Sequence, residues 1–117
     1  LDWELSTLGH PLADLAYHCM PHRFGSPVRE ALQQIASAAS GIPTESEHIA
    51  DYCRFAGRAS VPPEDLRFCL AFSLFRYASI VQGVYRRGLD GNASSSEATT
   101  YRDRVAEAAA VACKLIG

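Results

Sequence analysis

The sequence has no excess of positive charge, no polybasic run and no uninterrupted apolar stretch of bilayer length. Eleven Lys and Arg against 13 Asp and Glu leave a formal net charge of −2. That balance argues against a nucleic-acid surface or an anionic membrane surface, and no partner of either kind is expected. A spanning helix needs about 20 predominantly apolar residues, and charges interrupt the apolar runs well before that. No leader pattern of basic, apolar and small-residue regions is visible, although a start on Leu1 does not exclude one upstream. Internal repeats and an interdomain linker are missing too, so 117 residues read as one domain or part of one. The four cysteines, Cys19, Cys53, Cys69 and Cys113, are scattered unevenly through apolar helical stretches. That spacing disfavours a disulfide framework and suits free thiols in a reducing, cytoplasmic compartment.

What is present is a soluble-type composition, 48% hydrophobic and 21% charged, with helical periodicity along most of its length. Pro11 can open a helix whose inward face holds Leu12, Leu15, Ala16 and Cys19, ending before Pro21. Ser26-Pro27 reads as a second start, with Val28, Leu32, Ile35 and Ala39 inward and a stop at Gly41. Thr44 followed by Glu47 is a capping-box signature, and the helix behind it would turn Ile49, Cys53 and Ala56 inward. The longest helix is expected from about Glu64 to Arg87, closed by Gly88. Leu66, Leu70, Leu74, Tyr77, Val81 and Val84 form one stripe on it. Phe68, Phe72, Phe75 and Ile80 cover much of the rest. A helix apolar nearly all round is buried on several sides, so it reads as a central post and its aromatics as core. A last helix from about Thr99 to Ile116 would pack through Tyr101, Val105, Ala109, Ala112 and Ile116.

Leu1-Asp2-Trp3 looks like the tail of a strand, and a helical bundle needs no lone strand. The expectation is therefore a mainly α chain with a strand remnant at its N-terminus, the C-terminal part of a larger α+β domain.

The string "LDWELSTLGHPLADLAY", Leu1 to Tyr17, resembles the metal-binding segment of the aminoglycoside phosphotransferase family, small-molecule kinases with a protein-kinase-like fold. The later "LAFSLFRYASIVQGVYRRGLDGNASS" is similar to one branch of that family, the phosphotransferase-like domains related to those fused to acyl-CoA dehydrogenases. The resemblance runs from Leu1 to about Ser96. It implies that residues 1–117 are the helical C-terminal subdomain of a kinase-like domain, with ATP as substrate, Mg²⁺ as cofactor and a small-molecule hydroxyl as acceptor. A hydroxyacyl compound is the acceptor class that the branch suggests. Asp2 takes the role of metal-chelating acid, since Mg²⁺ seeks oxygen ligands and proteins commonly supply one or two carboxylates. Asp14 takes the role of structural anchor for the catalytic loop. Glu4, His10 and Arg76 are candidates for the cleft or the substrate side.

The glycine-rich phosphate loop, the strand lysine and the His-Gly-Asp catalytic loop of that family would lie upstream of Leu1. No catalytic base is therefore expected in these residues, and the chain alone should be inactive. The remainder of its own domain, or a second chain, is expected to cover the Leu1–Met20 surface. The competing reading is a non-catalytic helical interaction module or a degenerate kinase relative. His18, Cys19 and His22 could present imidazoles on one turn. Zinc requires three or four ligands, no second cluster is obvious, and zinc is not expected. Arg86 and Arg87 suit the end of a helix, where cations meet the dipole favourably.

Overall fold

The computed structural model describes residues 7–25, 41–90 and 98–117. Among them are four α-helices and one 3-10 turn, and no strand. The expected strand remnant, the expected helix from Ser26 to Ser40 and the serine-rich loop lie outside the described residues. So do Asp2 and Glu4.

Helix α1 spans Pro11–Cys19. His10 sits in extended backbone just before it, and its Nδ1 accepts the Leu12 N–H at 3.3 Å. An imidazole thus caps the helix, and Pro11 supplies the first turn, where a missing N–H costs nothing. The α-helix stops before Pro21, as expected, but the chain continues as a 3-10 turn over Met20–Arg23. Leu12, Leu15, Ala16, Cys19 and Met20 are all buried.

Helix α2 spans Glu45–Ala56, and both halves of its capping box are made. The Thr44 hydroxyl accepts the Glu47 N–H at 3.3 Å, and a Glu47 carboxylate oxygen accepts the Thr44 N–H at 2.8 Å. These bonds from the Thr44 backbone and hydroxyl lower the Glu47 pKa. Such a cap is worth about 1 kcal/mol. Gly57 ends the helix at φ +64°, a left-handed conformation that a Cβ would strain. No α2 residue is fully buried. Ile49 and Cys53 are half-buried, whereas Ala56, expected inside, is exposed. Tyr52 takes its place, packing with Ile49 against the α1 core.

Helix α3 spans Pro63–Leu89. It runs through Gly88, the expected stop, and Asp90 closes it by donating its N–H to Arg86 and Gly88 carbonyls. The Asp90 carboxylate also accepts from Arg86 at 3.3 Å. Of the expected inward stripe, Leu70, Leu74 and Val81 are buried and Leu66, Tyr77 and Val84 partly so. By length and composition α3 could cross a membrane. Here it is the helix against which α1 and α4 pack.

Helix α4 spans Ala98–Ile116 and returns antiparallel along α3. Leu115 packs near Leu70, and Ala108 packs near Leu74 and Tyr77. The inward face is Ala108, Val111, Ala112 and Leu115. Of the expected stripe, Tyr101, Val105 and Ala112 are half-buried, whereas Ala109 and Ile116 are exposed.

The other correction concerns α3. Phe68, Phe72, Phe75 and Ile80 are exposed rather than core, so the helix is buried along one stripe and not on all sides. An all-round apolar sequence does not say which arc its neighbours cover. Only the arc facing α1 and α4 is filled.

Candidate functional site

Helices α1 and α2 lie side by side and leave an open groove of about 700 Å³ between them. Its geometry follows from two anchors. Ile49 and Tyr52 pack on the Leu12–Leu15 face of α1. At the far end, the Arg23 guanidinium donates through Nε and Nη2 to one Glu45 oxygen, at 3.0 and 2.8 Å. The pair is partly exposed, which limits its energy to about 1 kcal/mol or less.

Asp14 and His18 reach the groove from α1, and His48, Asp51, Tyr52 and Phe55 from α2. Asp14 and His18 are one turn apart, as are His48 and Asp51, so each helix presents an acid and an imidazole on one face. The His18 and His48 rings lie 5.7 Å apart, inclined at 52°. The Asp51 carboxylate accepts from Arg54 at 2.8 Å, and the Tyr52 hydroxyl accepts from Arg58 at 3.5 Å. Asp14 is exposed and has no hydrogen-bond or ion-pair partner among the described residues.

The expected site residues are therefore dispersed. Asp14 lines the groove. His10 caps α1 and does not line it. Arg76 lies on α3, its guanidinium 5.7 Å from the centre of the Tyr17 ring. Asp2 and Glu4 are outside the described residues. His48, Asp51, Tyr52 and Phe55 were not singled out from the sequence. Their only signal was the helical spacing of His48 and Asp51, which acquires meaning once α1 lies opposite.

Among the described residues no group of three or more His, Cys, Asp or Glu side chains could hold a metal ion. The Mg²⁺ expected from the resemblance thus finds no fit there, and its case depends on Asp2. Cys19, flanked in sequence by His18 and near His22, points into the core instead of toward either imidazole's solvent side. Burial first, then the Glu45 charge, pushes its thiol up to about 11, with Arg23 opposing.

A pH dependence follows. The Cys19 thiol is neutral when protonated, and its folded pKa is raised from 9.0 to about 11. Its contribution to stability is complete below pH 9 and is lost as pH rises toward 11. We expect Cys19→Ser to reduce the alkaline loss of stability over that window, and alkylation mapped by mass spectrometry to reach Cys113 before Cys19. Equal labelling rates at the two thiols would contradict the burial argument.

The surface expected to need covering at Leu1–Met20 is smaller within its described part. Leu12 to Met20 already packs internally, while Leu8 is fully exposed and Tyr17 exposed.

Comparison with known proteins gives the strongest relationship through sequence. The chain is 46% identical over 101 residues to acyl-CoA dehydrogenase family member 10 of Mus musculus, covering 84% of this chain and 9% of that protein. It is 45% identical over 105 residues to acyl-CoA dehydrogenase family member 11 of Homo sapiens, covering 90% and 13%. A probable acyl-CoA dehydrogenase of Arabidopsis thaliana is 40% identical over 101 residues, covering 83% and 12%. The chain is similar to one short segment of acyl-CoA dehydrogenase family members. It spans about a tenth of the length of the curated relatives it matches. No family model matches the chain. No solved structure matches it either.

Proposed function

We propose that this chain is the helical C-terminal part of an ATP- and Mg²⁺-dependent phosphotransferase acting on a hydroxyl of a small molecule, with a hydroxyacyl compound as the acceptor class. The observation that carries the reading is the placement of Asp14 within the motif-bearing segment. Its helix is locked by buried Leu12, Leu15 and Ala16, yet Asp14 itself stands at an open groove without a partner among the described residues. A carboxylate held on a rigid element accepts hydrogen bonds well, and an anchor for a catalytic loop needs that property. Phosphoryl transfer depends chiefly on positioning and on charge around the phosphates, so a loop anchor matters to rate without touching substrate. In the reaction the acceptor oxygen bonds to the terminal phosphorus, the bond to the bridging oxygen breaks, ADP leaves and the hydroxyl proton passes to a base. That base is not among these residues. The names of the relatives favour an acyl-CoA-like acceptor over an antibiotic.

The test uses the longer protein that contains this segment. ATP consumption should depend on a hydroxyacyl-CoA acceptor, and the 117-residue chain alone should show none. Asp14→Asn should lower turnover and the melting temperature together, with a stability loss on the order of 1 kcal/mol from the imperfectly paired backbone groups. A slowed enzyme with unchanged melting would remove the anchor role. Absence of any acceptor-dependent ATP consumption would favour the second reading, a helical interaction module, which the apolar face of α3 supports.

A further inference from the structure

The helix that carries Asp14 starts on an uncommon cap. Asn, Asp, Ser and Thr are the side chains that usually accept a first-turn N–H, and none of them titrates near neutral pH. Here the acceptor is Nδ1 of His10, 3.3 Å from the Leu12 nitrogen. A ring nitrogen accepts only while it carries no proton, and in the imidazolium both nitrogens are donors. His10 is exposed, so solvent protons reach it. We propose that His10 is a positioning residue whose protonation releases the first turn of α1, and with it Asp14, as pH falls. The link to rate rests on the anchor role proposed for Asp14; the release of the turn does not.

The backbone confines the effect to one side chain. A proline holds the residue before it in extended backbone, and His10 lies there at φ −74° and ψ 124°. That setting does not depend on the charge of the ring. The His10 carbonyl, which accepts the Ala13 N–H at 2.9 Å, does not titrate. Protonation therefore takes away the imidazole's acceptor and leaves the rest of the cap. It also puts a positive charge at a helix N-terminus, where the dipole opposes it. Further along, Leu15, Ala16 and Cys19 are buried, so the body of α1 stays docked and only the first turn responds. Asp14 belongs to that turn.

Neighbouring charges do not cancel this response. On α1 itself, Asp14 is four residues on, and its carboxylate attracts an imidazolium. That attraction competes with the Leu12 N–H for the ring and draws on the carboxylate that an anchored loop would use, so it acts in the same direction. From α2, His48 and Asp51 reach the groove, which His10 does not line. From α3, Arg76 stands over Tyr17, two turns further along α1.

The experiment is hydrogen exchange read by mass spectrometry on the longer protein that contains this segment. Wild type, His10→Asn and His10→Ala are compared at about pH 8 and about pH 5, the window in which imidazoles change charge, with rates corrected for the intrinsic pH dependence of exchange. At the alkaline end, wild type and His10→Asn should protect the first turn of α1 alike, and His10→Ala should exchange roughly five-fold faster. At the acid end, wild type should fall to the His10→Ala level while His10→Asn holds. Where the protein consumes ATP, its kcat should fall toward acid more steeply in wild type than in His10→Asn. Wild-type protection that follows His10→Asn at both ends overturns the inference, as does His10→Ala protected like wild type at the alkaline end. The expected exchange pattern in a protein that consumes no ATP supports the release of the turn and removes only the phosphotransferase reading. ATP consumption slowed by Asp14→Asn, with exchange alike in wild type and His10→Asn, overturns the inference and keeps that reading. Should His10→Ala fail to fold, wild type against His10→Asn decides alone.

Discussion

Asp2→Asn in the longer protein is expected to lower acceptor-dependent ATP consumption by 10²–10³. The substitution keeps the shape of the side chain and removes its charge. Electrostatic stabilisation fixed in advance is commonly the largest contribution to such reactions, and losing one element of it costs about 3–4 kcal/mol. Melting should change little, because the role proposed for Asp2 is charge toward the metal and not packing. The pattern therefore differs from Asp14→Asn, where rate and stability fall together. The assay is turnover of wild type and variant across a magnesium titration, beside melting curves. Activity close to wild type at limiting magnesium would take Asp2 out of the site and leave the interaction-module reading in front.

Leu74→Ala is expected to cost about 2–5 kcal/mol of folding stability, measured by urea denaturation of the chain. Leu74 is fully buried where α3, α4 and the 3-10 turn meet, in one cluster with Met20, Phe24 and Ala108. Truncation removes its transfer energy and leaves a cavity, because three separate elements must shift to close it. A domain of this kind has only about 5–15 kcal/mol in total, so the variant should be close to unfolding at 37 °C. Ile80→Ala, six residues further along the same helix, should cost under about 1 kcal/mol, since Ile80 is exposed. The two residues are similar in size and share a helix. Equal losses at both sites would show that α3 is enclosed all round after all.

Those two residues mark the boundary between what the chain's order of residues states and what it does not. Helix starts were legible because their causes are local. Pro11 stands at a first turn and the Thr44–Glu47 box uses groups three residues apart, whereas Gly57, the stop of α2, was not singled out and Gly88 did not stop α3. Both starting signals act within one turn of chain, so spacing is sufficient. The inward stripe of α3 was legible for a related reason: Leu70, Leu74 and Val81 follow the helical period.

The faces were less legible. Phe72 and Leu74 are both large and apolar, and nothing in their order says that the second is core and the first exposed. Ala108 and Ala109 are the same residue type one position apart, yet the first is buried against Leu74 and the second is exposed. Alanine carries too little surface to fix the rotation of a helix, so α3 sets it. The candidate site shows the same division. Asp14 was marked by the segment that resembles the phosphotransferases. His48, Asp51 and Tyr52 lie more than thirty residues away and joined its groove only when α2 docked on α1. The sequence by itself determined that the described stretches are mainly helical and where the helices opened by local signals start. Only the tertiary structure decided which apolar arcs are covered and which side chains share a groove, because those depend on contacts between distant segments that no local period encodes.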